Sequence, residues 1–176
     1  MVNKKVFAFV QARFEASRLP GKVCKNLLDK ISVLEIIIKR LKKSKKIFKI
    51  VVLTTEKNKN KIIKICKKNK VEFFIGSERN VLDRFYNAAI KYDVNNILRI
   101  TGDCPLVDVD IVNKAIDIYF KKKVDYVSNV NPASFPDGLD VELFNFKSLS
   151  KSWKNCNNSF QKEHVTQYIL KNENIR

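Results

Sequence analysis

A chain of 176 residues suits a single domain spanning 1–176, since domains run to roughly 100–200 residues and can bury a real core at that size. Its 45% hydrophobic and 30% charged residues belong to a globular protein, and no apolar run nears the ~20 residues that cross a bilayer, so no membrane insertion is expected. The formal charge of +17 would suit nucleic acid, but the lysines are spread over nearly every predicted helix and cluster at helix ends, where cations suit the macrodipole. A solvated basic face is therefore favoured over a nucleic-acid interface.

In chain order, the apolar run Val6–Val10 reads as a buried strand. It is shorter than the roughly 7–15 residues of a secretory core and has no small-residue cleavage site behind it, so a cytoplasmic location is expected. The irregular stretch Gln11–Lys22 follows. Val33, Leu34, Ile37, Ile38 and Leu41 then trace one helical face, and Ser32 and Glu35 have the S-x-x-E spacing of a capping box. Further short apolar runs at Ile50–Leu53, Val71–Ile75, Ile97–Ile100 and Val124–Val127 predict strands. Between them, Ile62, Ile63 and Cys66, then Val81, Leu82, Phe85, Tyr86 and Ala89, then Ile111, Val112, Ala115, Ile116 and Tyr119 mark helices. After Val127 the regular winding stops. Asn129–Pro132 and Phe135–Gly138 read as turns, Leu139–Phe146 as a strand, and Lys147–Lys154 and Lys162–Lys171 as helices. Cys24, Cys66, Cys104 and Cys156 contain no C-x-x-C pair, which argues against a zinc site or disulfide framework and for small buried hydrophobes.

Alternation of strands and helices predicts an α/β fold, an open and mostly parallel twisted sheet with helices on both faces, because crossovers between parallel strands are right-handed. Ligands of such sheets bind outside the carboxyl ends of the strands. Attention falls on Gln11–Lys22, Thr54–Glu56, Gly76–Arg79 and Thr101–Leu106. The first of these places Arg13, Arg18 and Lys22 in one short loop with Gly21. Polyphosphate suits that chemistry: arginine offers a planar donor fork, lysine a point charge, and glycine close approach of the backbone. The spacing of a Walker A motif is absent, and a solvated basic loop is the alternative. Asp103, in Thr101-Gly102-Asp103-Cys104-Pro105-Leu106, stands where a carboxylate can bind Mg²⁺ beside phosphates. It could otherwise cap the turn.

In order along the chain come V-Q-A-R-x₄-S-R-L-P-G-K, G-S-E-x-x-V-L-D-R-F-Y-x-A-A, R-I-T-G-D-C-P-L, D-Y-V-S-N, F-P-D-G-L-D-V-E and E-H-V-T. Together they resemble the spore coat polysaccharide biosynthesis protein F type of cytidylyltransferase, a family similar to the CMP-Kdo and acylneuraminate cytidylyltransferases. The resemblance runs from the first strand to Thr166. It implies a Rossmann-like nucleotide-diphospho-sugar transferase fold and a CTP-dependent nucleotidyltransferase. An acceptor oxygen would attack the α-phosphorus and pyrophosphate would leave, with positioned cations and Mg²⁺ offsetting the charge. The implied acceptor is a sugar acid or a phosphorylated metabolite, activated for a surface polysaccharide of capsule, lipopolysaccharide or spore coat.

Carried over by position, the resemblance implies that Arg13, Arg18 and Lys22, with Gly21, hold the triphosphate. Asp103 would ligate the metal, and Gln11 and Ala12 would lie beside the nucleotide; Arg13, Lys22 and Asp103 form the catalytic set. Ser77, Asp83 and Arg84 are candidates near base and sugar, with a helix N-terminal ion pair as the alternative for the last two. Acceptor recognition falls on Asp137, Asp140 and Glu142 and on Glu163 and His164. Relatives of this type continue past E-H-V-T into a strand bearing a further metal-site aspartate, so a longer parent protein is expected. The partners implied are CTP and a small-molecule acceptor, with a homodimer left open. The competing readings are transfer of another nucleotide and a non-catalytic module that binds nucleotide or nucleic acid.

Overall fold

Val6–Gln11 form β1, and its first five residues are buried, as befits a central strand covered on both faces. In the computed structural model, which describes residues 4–15 and 19–175, β1 leads through a loop and a 3-10 turn at Lys22–Cys24 into a small hairpin of β2 (Asn26–Leu28) and β3 (Ile31–Ser32). Arg18, expected on the phosphate loop, lies outside the described residues. Then come α1 (Val33–Leu41), β4 (Ile47–Thr54), α2 (Lys59–Lys68), β5 (Glu72–Ile75), α3 (Val81–Lys91), β6 (Asn96–Thr101) and α4 (Val109–Lys122). The chain continues through β7 (Tyr126–Ser128), β8 (Glu142–Asn145), α5 (Phe146–Asn155), α6 (Ser159–Glu163) and α7 (Gln167–Leu170).

The six-stranded sheet has the order β5-β4-β1-β6-β8-β7. It is parallel from β5 to β6 and antiparallel at both β8 pairings. Strand alternation divides the core into two layers. Ala8, Val10, Val52, Leu98 and Ile100 pack under α1, α2 and α4 through Leu34, Ile38, Ile62 and Ile116. Phe7, Phe9, Val51, Leu53 and Ile97 pack under α3 and α5 through Leu82, Phe85, Ala88 and Leu149. The mostly parallel sheet with helices on both faces is thus present.

Winding fixes where a ligand can go. From β1 the chain moves outward through β4 to the edge strand β5, with α1 and α2 on one face. Helix α3 then crosses the opposite face and delivers β6 to the other side of β1. The boundary between β1 and β6 is therefore the switch point, whose carboxyl end opens a crevice.

Some local expectations need correction. Ser32 caps α1 by accepting the Glu35 N–H at 3.3 Å, but the Glu35 carboxylate answers to Lys39 and Lys68 rather than closing a reciprocal box. The predicted strand Leu139–Phe146 is paired only over Glu142–Asn145, because Asn145 caps a helix that begins at Phe146. The predicted helix Lys162–Lys171 is broken between α6 and α7, where His164 leaves helical geometry at φ −104 and ψ 86. Of the cysteines, Cys66 is fully buried while Cys24, Cys104 and Cys156 are half-buried free thiols. No helix among the described residues is long and apolar enough to cross a membrane.

Candidate active site

The carboxyl ends of β1 and β6 are joined closely. Gln11 and Thr101 are register partners, and the next residue, Gly102, donates its N–H to the Gln11 carbonyl at 2.8 Å. A Cβ at position 102 would lie 2.7 Å from that carbonyl oxygen and 2.9 Å from the Ala12 Cβ. Glycine at 102 and a small residue at 12 are what let the two loops touch. Ala12 is fully buried and donates its N–H to Leu53 O at 2.9 Å.

From this junction the loop after β1 is shaped by Gly21, whose φ of 71 suits glycine and whose missing side chain leaves room for the Phe14 ring, 2.8 Å from an imagined Cβ. The Gly21 N–H donates to Phe14 O at 2.6 Å. Lys61 sits over the Phe14 ring at 4.7 Å, and Asn58 donates to Glu15 at 2.7 Å. The loop is thereby fastened ahead of Lys22. The Lys22 ammonium forms an ion pair with Asp103, so the cation expected for the triphosphate and the carboxylate expected for the metal meet across the switch point. Arg13 reaches Glu163 on α6 at 3.7 Å.

Behind the crevice, the loop between β5 and α3 is tied down by side chains. Arg84 donates from Nη1 to Ser77 O at 2.7 Å, Ser77 Oγ accepts the Asn80 N–H at 3.1 Å, and Asn80 Oδ1 accepts the Asp83 N–H at 2.9 Å. The Asp83 carboxylate accepts the Trp153 indole N–H at 3.0 Å, and that indole stacks on Tyr86 with ring centroids 4.2 Å apart. Among the described residues no ion pair joins Asp83 to Arg84.

On the other side of β6 lies a cavity of about 380 Å³, lined by Arg99, Thr101, Asn131, Asp140, Glu142, His164, Thr166, Gln167 and Lys171 among others. Its volume falls in the range of small-molecule sites. Glu142 is buried, paired with Arg99, and accepts the Tyr126 hydroxyl at 2.7 Å. Asp140, Glu142 and His164 thus meet around one space. Asp137 and Glu163 are not among its lining residues.

A second observation marks the same edge of the sheet. Gln11 Oε1, Thr54 Oγ1, Thr55 Oγ1, Arg84 Nε and Nη2, and Arg99 Nε are buried without a hydrogen-bond partner. Each such atom costs about 1–3 kcal/mol. Gln11, Thr54 and Thr55 lie at the carboxyl ends of β1 and β4, Arg99 on β6 and Arg84 on α3, so these atoms are available to a ligand or to water.

Comparison with known proteins matches residues 7–176 to the family model described as cytidylyltransferase. The chain belongs to the cytidylyltransferase family. This cytidylyltransferase is 44% identical over 172 residues to an uncharacterized protein of Methanocaldococcus jannaschii, covering 97% of this chain and 69% of that one. It is 32% identical over 171 residues to the spore coat polysaccharide biosynthesis protein SpsF of Bacillus subtilis, covering 93% and 69% respectively. It superposes on the structure of a cytidylyltransferase from Leptospira borgpetersenii at 35% identity with a TM-score of 0.92, covering 98% of this chain and 73% of that one. It is accordingly a CTP-dependent nucleotidyltransferase with a Rossmann-like fold.

Several residues of the candidate site carry no motif of their own. Thr54 and Thr55 are two buried hydroxyls closing an apolar strand, and Arg99 is a charge inside the run Ile97-Leu98-Arg99-Ile100. A polar residue interrupting a buried strand was the available signal, since it must find a partner. Asn131 and Gln167 reach the cavity from a turn and a short helix, and neither has such a signal.

Asp140 offers a pH readout. Burial first, then the charges of Asp137, Glu142 and Asp103, raise its carboxyl above the ordinary range, while Arg99 pulls the other way. A carboxyl raised in the folded state binds its proton more tightly there than in the unfolded chain, so stability falls as pH rises from the ordinary value through the raised one. Asp140→Asn removes that slope. In thermal melts from about pH 3 to about pH 7, the variant's melting temperature relative to wild type should climb with pH and then level off; a difference that stays flat would contradict this.

Proposed function

We propose that this cytidylyltransferase transfers CMP from CTP to a small acceptor, a sugar acid or a phosphorylated metabolite, with release of pyrophosphate, to activate a building block of a surface polysaccharide. The observation that carries the reading is the meeting of Lys22 and Asp103 at the β1/β6 switch point beside the cavity. Arg13, Arg18, Gly21 and Lys22 take the triphosphate, with Gln11 and Ala12 at the floor. The Ser77 turn is held behind the crevice by Arg84, while Asp83 fixes α3 against α5 through Trp153.

Asp103 is the residue that would hold Mg²⁺. The donor set fits in kind: magnesium keeps several waters and takes one or two carboxylates plus phosphate oxygens, and the pairing of Asp103 with the Lys22 ammonium supports a cation-binding role for this carboxylate. Among the described residues no group of three or more His, Cys, Asp or Glu side chains is arranged as a metal cage, which suits an ion brought in largely by the nucleotide. When bound it supplies charge neutralisation at the phosphates and the departing pyrophosphate. Lys22 and Arg13 add fixed positive charge where negative charge accumulates. Asp140, Glu142 and His164 face the acceptor cavity, Glu163 acts through Arg13, and Asp137 contributes charge near Asp140. Resemblance to sugar-acid cytidylyltransferases and likeness to SpsF support the polysaccharide setting.

Pyrophosphate release tests this, with Mg²⁺ and each nucleoside triphosphate in turn against sugar acids and phosphorylated small molecules. Release is expected with CTP and one acceptor class, with the other triphosphates at least about tenfold poorer. Equal use of all triphosphates would overturn the CTP assignment, and silence across both acceptor classes would overturn the acceptor assignment.

A further inference from the structure

Arg84 is the largest of the fully buried side chains, at 0% exposure. Its guanidinium makes one hydrogen bond, to Ser77 O, and its Nε and Nη2 are buried with none. No carboxylate among the described residues forms an ion pair with it. Asp83, its neighbour in sequence, is engaged by Trp153. The packing is nonetheless made for this side chain, because a Cβ at Gly76 would lie 2.9 Å from Arg84 Cγ.

Three effects oppose a positive charge at this place. Burial strips its hydration. It stands in the first turn of α3, where the helix dipole is positive. The Arg13 guanidinium repels it, and burial and Arg13 in that order bring its pKa down to about 10. An anion in the crevice beside Arg13 relieves the repulsion and gives the charge a partner across the buried loop. The low local dielectric makes the attraction stronger than it would be at the surface.

Resting on the nucleotide reading above, we infer that Arg84 is a positioning residue for the triphosphate: a buried charge completed by the nucleotide's phosphates, which at the same time holds the Ser77 turn. Its part in binding belongs to the phosphate end of CTP rather than to base or sugar. It acts through its field and through Ser77, with Arg13 and Lys22 making the direct contacts.

Titration calorimetry of wild type, Arg84→Met and Arg84→Lys with CTP, inorganic tripolyphosphate and cytidine, each at low and moderate salt, tests this. In Arg84→Met, CTP and tripolyphosphate are expected to bind at least about tenfold more weakly with a shallower salt dependence, and cytidine within about twofold of wild type. Arg84→Lys keeps the charge and should hold tripolyphosphate within about threefold. A structural role alone would lower the melting temperature and move all three affinities together, which overturns the inference, as does unchanged tripolyphosphate binding by folded Arg84→Met. If Arg84→Met does not fold, the lysine variant decides, and a tenfold loss of tripolyphosphate there overturns the charge role. If neither folds, the wild type decides: tripolyphosphate must raise its melting temperature more than cytidine does at equal concentration, and the reverse order overturns the inference. Failure of the nucleotide reading itself would look different, because wild type would then bind none of the three probes.

Discussion

Asp103→Asn is expected to lower CTP-dependent pyrophosphate release by at least about a hundredfold, the scale seen when one preorganised electrostatic group is removed from a reacting centre. The amide keeps the size of the side chain but can neither bind magnesium with a full charge nor hold Lys22 as an ion. Stability should hardly change. The Lys22–Asp103 pair is about a third exposed on both sides, and pairs of that kind contribute about 0–1 kcal/mol. Metal-free CTP should bind at least as well as to wild type, since Lys22 is released from its carboxylate. The combination to look for is unchanged melting, retained CTP binding and lost turnover. Full turnover in this variant would place the metal site elsewhere, and a large fall in melting temperature would make Asp103 a structural residue.

Gly102→Ala should have the largest effect on the scaffold. The new methyl would have to share space with backbone, namely the Gln11 carbonyl and Ala12, neither of which can swing aside as a flexible side chain can. Overpacking of this sort costs about 1–3 kcal/mol, equivalent to a melting temperature roughly 3–10 °C lower for a chain of this size. Because the same contact joins the phosphate loop to Asp103, CTP affinity should fall by at least about tenfold in protein that is still folded. Gly138→Ala makes the contrast. Position 138 has no atom within 4 Å of an added Cβ but a φ of 94, so it carries backbone strain of about 1 kcal/mol without coupling to the nucleotide. Equal loss of CTP binding in both variants would mean that general destabilisation, rather than the β1/β6 junction, is responsible.

The parallel half of the molecule was legible because each strand carries an apolar run and each helix an apolar stripe. The runs at Val6, Ile50, Val71 and Ile97 all lie on strands, with shifted ends at Ile47 and Glu72. The β2–β3 hairpin was not legible: Leu27 and Leu28 are exposed, and so short a pairing has no alternation to read. Nor was the insertion of β8 between β6 and β7. Strand order in that region follows from long-range pairing of Glu142–Asn145 with both neighbours, which no local period encodes. At the site, motif order brought Lys22 and Asp103 into view, 81 residues apart in sequence, and geometry added that they touch. Asp83 shows the limit of spacing arguments, since its partner is an indole on α5. Arg99 shows the limit of strand patterns: its place in β6 was plain, but its pairing with Glu142 required knowing that β8 lies alongside.

The antiparallel placement of β8 separates two kinds of heritable change. Residues assigned to the nucleotide sit at the ends of the parallel strands, on the loops that follow them and on α3. Most of the cavity proposed for the acceptor, from Asn131 to Lys171, comes from chain that follows β7. Arg99 and Thr101 form the seam. Change at the cavity-lining positions after Ser128 would alter the proposed acceptor site and spare the nucleotide half only where Glu163 and Trp153 keep their hold on Arg13 and Asp83. One scaffold can in this way diversify by editing the chain that follows β7.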